Sequence, residues 1–107
     1  MISNKLFTEA IRYTVIDCSD PDSDNDIGYM LEDSTYAYIN IYELAHKCKE
    51  WAFRHTDIYS GQRHHAKGSI VENYCVISIH HEAFYADTEQ SAIFKACQWI
   101  LDNKETK

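Results

Sequence analysis

The sequence predicts an α+β fold, a two-layer sandwich in which an antiparallel sheet of about three strands carries helices on one face. Two segments predict helices, because their apolar residues recur at spacings of three and four. The stretch between them alternates apolar and polar residues, which is the period of a half-buried strand. The 107 residues include three Gly and one Pro, so we expect most of the chain to be ordered.

The length suits a single domain, residues 1–107, with one modest core. We divide it into an N-terminal extension, residues 1–38, and an α/β core, residues 39–104, with the order α-β-β-β-α. The start of the extension has helical spacing of apolar side chains. Its end, "YMLEDSTYAYI", predicts either a short hairpin or a lead into the first core helix. The sequence shows no internal repeat.

The first core helix is predicted over Asn40–Arg54, "NIYELAHKCKEWAFR". Asn40 is the predicted N-cap, and Glu43 completes a capping box three residues later. Trp51 falls at the edge of the apolar stripe. The stripe expected to face the core consists of Ile41, Leu44, Ala45, Cys48 and Ala52.

The last helix is predicted to begin after Asp87 and to continue to Asn103. Asp87 is the predicted cap, and Gln90 closes its capping box. The face expected to be buried consists of Ile93, Ala96, Cys97, Ile100 and Leu101.

Between these helices, "VENYCVISIHHEAFYA" predicts a strand whose inward side chains are Cys75, Ile77 and Ile79. Residues 57–64 and 83–86 are further strand candidates. The string "AKGS" predicts the turn that precedes the central strand.

The acidic residues are concentrated in one stretch, which we call the acidic loop, residues 17–33. Seven of the 17 Asp and Glu residues lie there without any Lys or Arg, and the rest of the chain carries 10 acids and 10 bases. This distribution argues against direct binding of nucleic acid through phosphate neutralisation and favours a basic protein partner. The seven residues are Asp17, Asp20, Asp22, Asp24, Asp26, Glu32 and Asp33.

Two strings resemble a known group of proteins. "NIYELAHKCKEWAF" and "ADTEQSAIFKACQWILDNK" are similar to the first and last helices of short proteins from bacteriophages and prophages of Gram-negative bacteria. The resemblance spans roughly residues 39–104, except for the middle, residues 56–72. It implies a fold and a mobile-element origin. It implies no activity and no catalytic residue.

The aspartates also suggest a divalent-cation-dependent domain as an alternative. An EF-hand loop needs oxygen ligands at positions 1, 3 and 5, Gly at 6 and Glu at 12. Counted from Asp22, the next ligands would be Asp24 and Asp26, but Ile27 replaces the glycine and Asp33 the glutamate. We therefore predict no metal ligand and no cofactor, and favour exposed charge.

Paired histidines, at positions 64–65 and 80–81, suggest a metal site or a small ribonuclease. Neighbouring residues on a strand point to opposite faces, so only one histidine of each pair could join a given site. A ribonuclease could use His64, His65 or His80 as general acid or base. Arg63 and Lys67 would then hold the phosphate. Because net acidity disfavours binding a polyanion, we predict no catalytic residue.

The four cysteines lie 22 to 30 residues apart and form no C-x-x-C pair. This spacing suits neither a zinc ribbon nor a disulfide framework. We predict reduced thiols, with Cys48, Cys75 and Cys97 on core faces.

No apolar run approaches the roughly 18 residues that span a bilayer, and residues 1–16 lack the features of a secretory signal. We therefore expect a cytoplasmic protein of the bacterial host cell with no membrane partner. Trp51 or Phe53, if exposed, would suit a homodimer interface.

We expect a non-enzymatic phage or prophage accessory protein that binds a host protein through an acidic, tyrosine-rich surface between Asp17 and Tyr42. A concrete version is inhibition of a host nucleic-acid-handling or defence complex, in the manner of an anti-CRISPR protein. The aspartates would occupy a groove built for phosphates. The predicted partner-binding residues are Asp20, Asp22, Asp24, Asp26, Tyr29, Glu32, Asp33, Tyr36 and Tyr38.

Overall fold

The structure, a computed structural model, describes residues 2–64 and 71–105, the last of these for its backbone alone. Along these residues a helix followed by three strands occurs twice, and a final helix follows. The helices are α1 (Asn4–Ile11), α2 (Ile41–Phe53) and α3 (Glu89–Glu105). The strands are β1 (Val15–Cys18), β2 (Asp26–Leu31), β3 (Tyr36–Asn40), β4 (Ile58–His64), β5 (Val71–Ile77) and β6 (Glu82–Ala86).

The strands form two antiparallel sheets of three strands each, with the orders β1-β2-β3 and β4-β5-β6. The predicted α+β class is confirmed, and α2, β4 to β6 and α3 follow the predicted α-β-β-β-α order. The predicted extension, residues 1–38, contains α1, β1, β2 and the first three residues of β3. Its "YMLEDSTYAYI" string forms the β2–β3 hairpin, and β3 then continues directly into α2.

The two sheets lie in one layer. The molecule measures 51 × 38 × 17 Å, and three layers at a spacing of about 10 Å would need a thicker body. α2 packs between α1 and α3 and contacts β3 in the first sheet and β4 in the second. The helices therefore cover one face of both sheets, and the opposite faces, which we call the outer faces, are left open on the other side.

Buried residues form one hydrophobic cluster that includes side chains from residues 1–38 and from residues 39–104. Burial of each Leu, Ile or Phe side chain contributes about 1.5–3 kcal/mol. The fully buried large side chains are Leu6, Phe7, Ile27, Leu44, Cys48, Ile58, Cys75, Ile77, Phe94, Cys97 and Leu101.

Of the two predicted helix caps, the one for α2 is confirmed and the one for α3 is wrong. Asn40 caps α2 as predicted, since its side-chain oxygen accepts a hydrogen bond from the Tyr42 backbone N–H at 3.0 Å. The predicted Asp87 cap is wrong by one residue. Thr88 caps α3, because its hydroxyl oxygen accepts from the Ser91 N–H at 3.1 Å. The Asp87 carbonyl instead accepts from the Asn73 side chain, which fixes Asp87 in the link before the helix.

One burial prediction is also wrong, and Trp51 extends the predicted stripe of α2. Ile79, expected on the inward face of the central strand, lies in the turn after β5 and is 62% exposed, because the strand ends at Ile77. Trp51, placed at the edge of its stripe, is buried, with its ring against His55 at 5.0 Å. The candidate strands 57–64 and 83–86 match β4 and β6 closely. The "AKGS" turn lies outside the described residues.

The cysteine prediction is confirmed. All four cysteines are free thiols, and Cys48, Cys75 and Cys97 are buried. Burial raises the pKa of Cys75 to about 12, and a hydrogen bond with Cys48, together with burial, raises the pKa of Cys97. A neutral buried thiol is a poor nucleophile, so these three residues serve packing.

Candidate partner-binding surface

The outer face of the first sheet carries two exposed tyrosines. β2 pairs with β3 so that Gly28 lies opposite Tyr38 and Met30 opposite Tyr36. Residues paired in this way point to the same side of a sheet, and Ile27 and Ile39 on the other side are buried. Tyr36 and Tyr38 are therefore on the open side, with 52% and 67% of their surface exposed.

These two tyrosines are held in a defined arrangement before any partner arrives. Their rings meet edge to face, with centroids 5.4 Å apart and planes at 81°. The Tyr36 ring also lies directly over Gly28, where a Cβ atom would overlap its hydroxyl oxygen. The absence of a side chain at residue 28 thus lets the Tyr36 ring lie flat on the sheet.

The connection between β1 and β2, residues 19–25, carries part of the acidic loop and is organised by Asp22. One oxygen of this carboxylate accepts hydrogen bonds from the backbone N–H groups of Asp24 at 2.9 Å and Asp26 at 3.0 Å. Asn25 adopts a left-handed backbone conformation with φ 65°, which Asn tolerates better than most residues. The connection is therefore a turn whose conformation is stabilised by its own hydrogen bonds.

This turn is attached to the start of α2. The Asn25 carbonyl accepts from the Ile41 N–H at 2.8 Å, and the Asp26 carboxylate accepts from the Asn40 side-chain amide at 3.3 Å. Carboxylates near a helix N-terminus are stabilised by the positive end of its dipole. Within the described residues, the Asp20 and Asp24 carboxylates make no hydrogen bond, so their charge is available to a partner.

The structure separates the nine predicted partner-binding residues into groups. Tyr36 and Tyr38 share one face with Asp26, and Asp20, Asp22 and Asp24 lie in the turn at one end of that sheet. Glu32 and Asp33 lie in the β2–β3 turn at the other end of the sheet. The six residues of β2, a length of about 20 Å, separate this turn from the β1–β2 turn. Tyr29 points inward, where its ring packs against Phe7 at 4.9 Å.

Further residues join the surface that were not among the nine. Asp17 is paired with Met30 and so lies on the same outer face. Tyr42, in the first turn of α2, is 57% exposed. The open face of the second sheet also carries tyrosines, among them Tyr59 and Tyr85. The spacing of two residues could have predicted that Tyr36 and Tyr38 share a face. The place of Asp17 on that face could not be predicted without the pairing register of β1 and β2.

The histidines of the metal and ribonuclease alternatives do not come together in the described part of the chain. Among the described residues, no group of three His, Cys, Asp or Glu side chains could hold a metal ion. His64 and His80 lie near opposite ends of the β4–β5 hairpin. His80 and His81 lie in a turn, and the ring of His80 packs against Trp99 at 5.2 Å. His65 and Lys67 lie outside the described residues.

Comparisons with protein-family models, with curated proteins and with solved structures find no match for this chain. Within the described residues, no helix is both long and apolar enough to cross a membrane.

Proposed function

We propose that this chain is a non-enzymatic accessory protein of phage or prophage origin, which binds a basic surface of a host protein in the host cytoplasm. The contact surface is the outer face of the first sheet together with the β1–β2 turn, residues 19–25. The observation that carries the proposal is the ordered, exposed Tyr36–Tyr38 pair on a sheet whose β1–β2 turn carries the Asp20 and Asp24 carboxylates. Phage origin is supported by the helix resemblance alone.

Exposed tyrosines beside carboxylates suit Arg and Lys side chains. An aromatic ring attracts a cation to its face, and a carboxylate accepts charge-assisted hydrogen bonds from the same group. The protein makes such a contact internally, because the Arg63 guanidinium lies 5.5 Å from the centre of the Tyr74 ring. Tyrosine also loses little conformational entropy on binding, which suits it to the centre of an interface.

A basic groove that normally holds nucleic acid is the host surface that fits best. The chain has a net charge of −7, and all of the imbalance lies in residues 17–33. The negative electrostatic potential of these residues would accelerate association with a positively charged groove, and salt would screen this attraction. The protein would then inhibit a nucleic-acid-handling or defence complex by excluding its substrate.

The test is affinity capture from a nuclease-treated lysate of a Gram-negative host, followed by direct binding to each purified candidate. Two variants remove the proposed contacts, namely Tyr36→Ser/Tyr38→Ser and Asp20→Asn/Asp24→Asn. Their matched controls are Tyr59→Ser/Tyr85→Ser, on the outer face of the second sheet, and Glu9→Gln/Asp57→Asn, which removes the same charge elsewhere.

We expect a basic nucleic-acid-binding protein to be retained by the wild type and by both controls. Each test variant should weaken binding at least tenfold, and the partner's nucleic acid should compete with the wild type. Equal loss in the test variants and the controls would contradict the proposed surface. A partner with no basic surface would contradict the mechanism.

A further inference from the structure

A cavity of about 490 Å³ lies where α2 ends and the last two turns of α3 pass the turn between β5 and β6. Its volume falls within the range of about 300–1,000 Å³ that is usual for small-molecule sites. The side chains that matter for its chemistry are His55, His80, Trp99 and Lys104.

The aromatic wall of this cavity is held in place by the protein itself. The Trp99 ring packs against His80 at 5.2 Å and against Phe84 at 6.3 Å, in both cases with tilted planes. The Asn103 side-chain amide donates to the Trp99 carbonyl at 2.7 Å. His55, on the opposite wall, packs against the buried Trp51. A ligand would therefore meet a preorganised indole surface.

The charge of the lining is opposite to that of the protein as a whole. Lys104 and two imidazoles line the cavity, and no carboxylate of the described residues does so. Two further cavities of the described residues combine carboxylates with cations, Glu9 and Glu50 in one and Asp87 in the other. The site therefore offers N–H donors and an ammonium group without a carboxylate from the described residues, which favours an anion and disfavours a cation.

The end of α2 does not cancel this preference. A helix C-terminus exposes carbonyl oxygens that repel anions. Here the Ala52 carbonyl accepts hydrogen bonds from the His55 N–H at 2.9 Å and the Thr56 N–H at 3.0 Å. The Ala52 carbonyl is thus already occupied by backbone donors.

We propose that this cavity binds a planar aromatic anion, with its ring against Trp99 and its charge at Lys104. Ring stacking on an indole supplies affinity without demanding a specific base or substituent, and the ammonium group selects for negative charge. A nucleoside phosphate and an aromatic carboxylate share this chemistry. The site is lined by α3, the residues after α2 and the β5–β6 turn, and it shares no residue with the proposed partner surface.

The test uses two dyes with the same rings, anilinonaphthalene sulfonate and the uncharged N-phenylnaphthylamine, followed by fluorescence. We expect the sulfonate to bind more tightly. Lys104→Met should weaken binding of the sulfonate about fivefold and leave the affinity for the uncharged dye unchanged. Trp99→Leu should weaken both dyes. Lys47→Met, which removes a lysine from a different cavity, is the control and should change neither.

Lys104 is exposed at the rim, so its variant keeps the test independent of folding. Equal affinity for the two dyes, or equal effects of Lys104→Met and Lys47→Met, would overturn the proposal. Displacement of the sulfonate by adenosine monophosphate but not by indole carboxylate would assign nucleotides, and the reverse would assign aromatic carboxylates. Displacement by neither would overturn it.

Discussion

Asn73 donates its side-chain amide to the Asp87 carbonyl oxygen at 2.8 Å and so connects the centre of the second sheet to the start of α3. Its side-chain oxygen accepts from the Gln62 amide at 2.9 Å. Asn73 is the buried polar residue of the described core, with 7% of its surface exposed. Its hydrogen bonds therefore determine where the strand ends and the last helix begins.

Replacing Asn73 by Ala should destabilise the protein by about 1–3 kcal/mol, because the Asp87 carbonyl and the Gln62 amide lose their partner in a partly buried site. Urea denaturation followed by circular dichroism measures the change. Gln62→Ala is the control, since Gln62 is exposed and its loss leaves the bond to Asp87 intact; we expect less than about 1 kcal/mol. Equal effects would show that the bond to Asp87 contributes nothing.

Replacing Gly28 by Ala should displace the Tyr36 ring with little loss of stability. The added methyl group would overlap the Tyr36 hydroxyl, which is the far end of an exposed side chain and can move away. We expect a change below about 1 kcal/mol in the free energy of unfolding. The ring resonances of Tyr36 and Tyr38 should shift in NMR spectra, because the edge-to-face contact is lost.

Partner binding should fall in Gly28→Ala to the level of Tyr36→Ser if the ordered pair is the contact. Gly61→Ala is the control, because Gly61 also lies beside a tyrosine hydroxyl, that of Tyr74 in the second sheet, although the added Cβ would be 3.0 Å from it and would overlap less. Binding that is lost equally in both variants would mean that the outer face of the second sheet also contributes.

Asp22 and Asp24 should behave differently although they are neighbours in the same turn. Asp22→Ala removes the acceptor of two backbone N–H groups and should cost about 1–2 kcal/mol, whereas Asp24→Ala should cost less than about 0.5 kcal/mol. Thermal unfolding compares the two. Asp22→Asn retains a side-chain oxygen and should restore most of the stability. If Asp22→Ala is as stable as Asp24→Ala, the turn is not organised by that carboxylate.

The helices could be predicted from sequence because their signals are local. The apolar stripe of α2 and its Asn40 cap lie within one stretch of chain, and both are found. The start of α3 was misplaced because Asp87 and Thr88 are both good capping residues. The Asn73 bond to Asp87, which decides between them, joins residues far apart in sequence.

The first sheet could not be predicted in the same way, because its faces depend on register. Tyr29 and Tyr36 lie in one acidic, tyrosine-rich stretch, yet the β2–β3 pairing points Tyr29 inward and Tyr36 outward. A shift of one residue would exchange those faces. Composition therefore indicated a surface with the right residue types, and only the pairing identifies which of them share a face.

Asp33 should titrate below the usual range of an Asp side chain. Hydrogen bonds from the Thr35 side chain, and then from its backbone N–H, lower the pKa of Asp33 from its ordinary value of 3.8. Because the folded pKa is depressed, the stabilisation is present above the pKa of the unfolded chain and is lost as the pH falls through the folded pKa. An NMR titration of the Asp33 carboxyl carbon measures this directly. Thr35→Ala, which removes the hydroxyl, should raise the pKa; an unchanged pKa would exclude the side-chain bond.

The four thiols should react in two classes with a thiol reagent such as dithionitrobenzoate at pH 8. The reagent consumes thiolate, and Cys48, Cys75 and Cys97 are inaccessible; burial also raises the pKa of Cys75 to about 12. Those three should react only as the protein unfolds, at a rate that urea increases. Cys18 is partly buried, and burial and then Asp17 raise its pKa, so it should react slowly but without unfolding. Cys18→Ser should abolish that first class, and a thiol that still reacts without unfolding in this variant would contradict the packing of the core around Cys48 and Cys97.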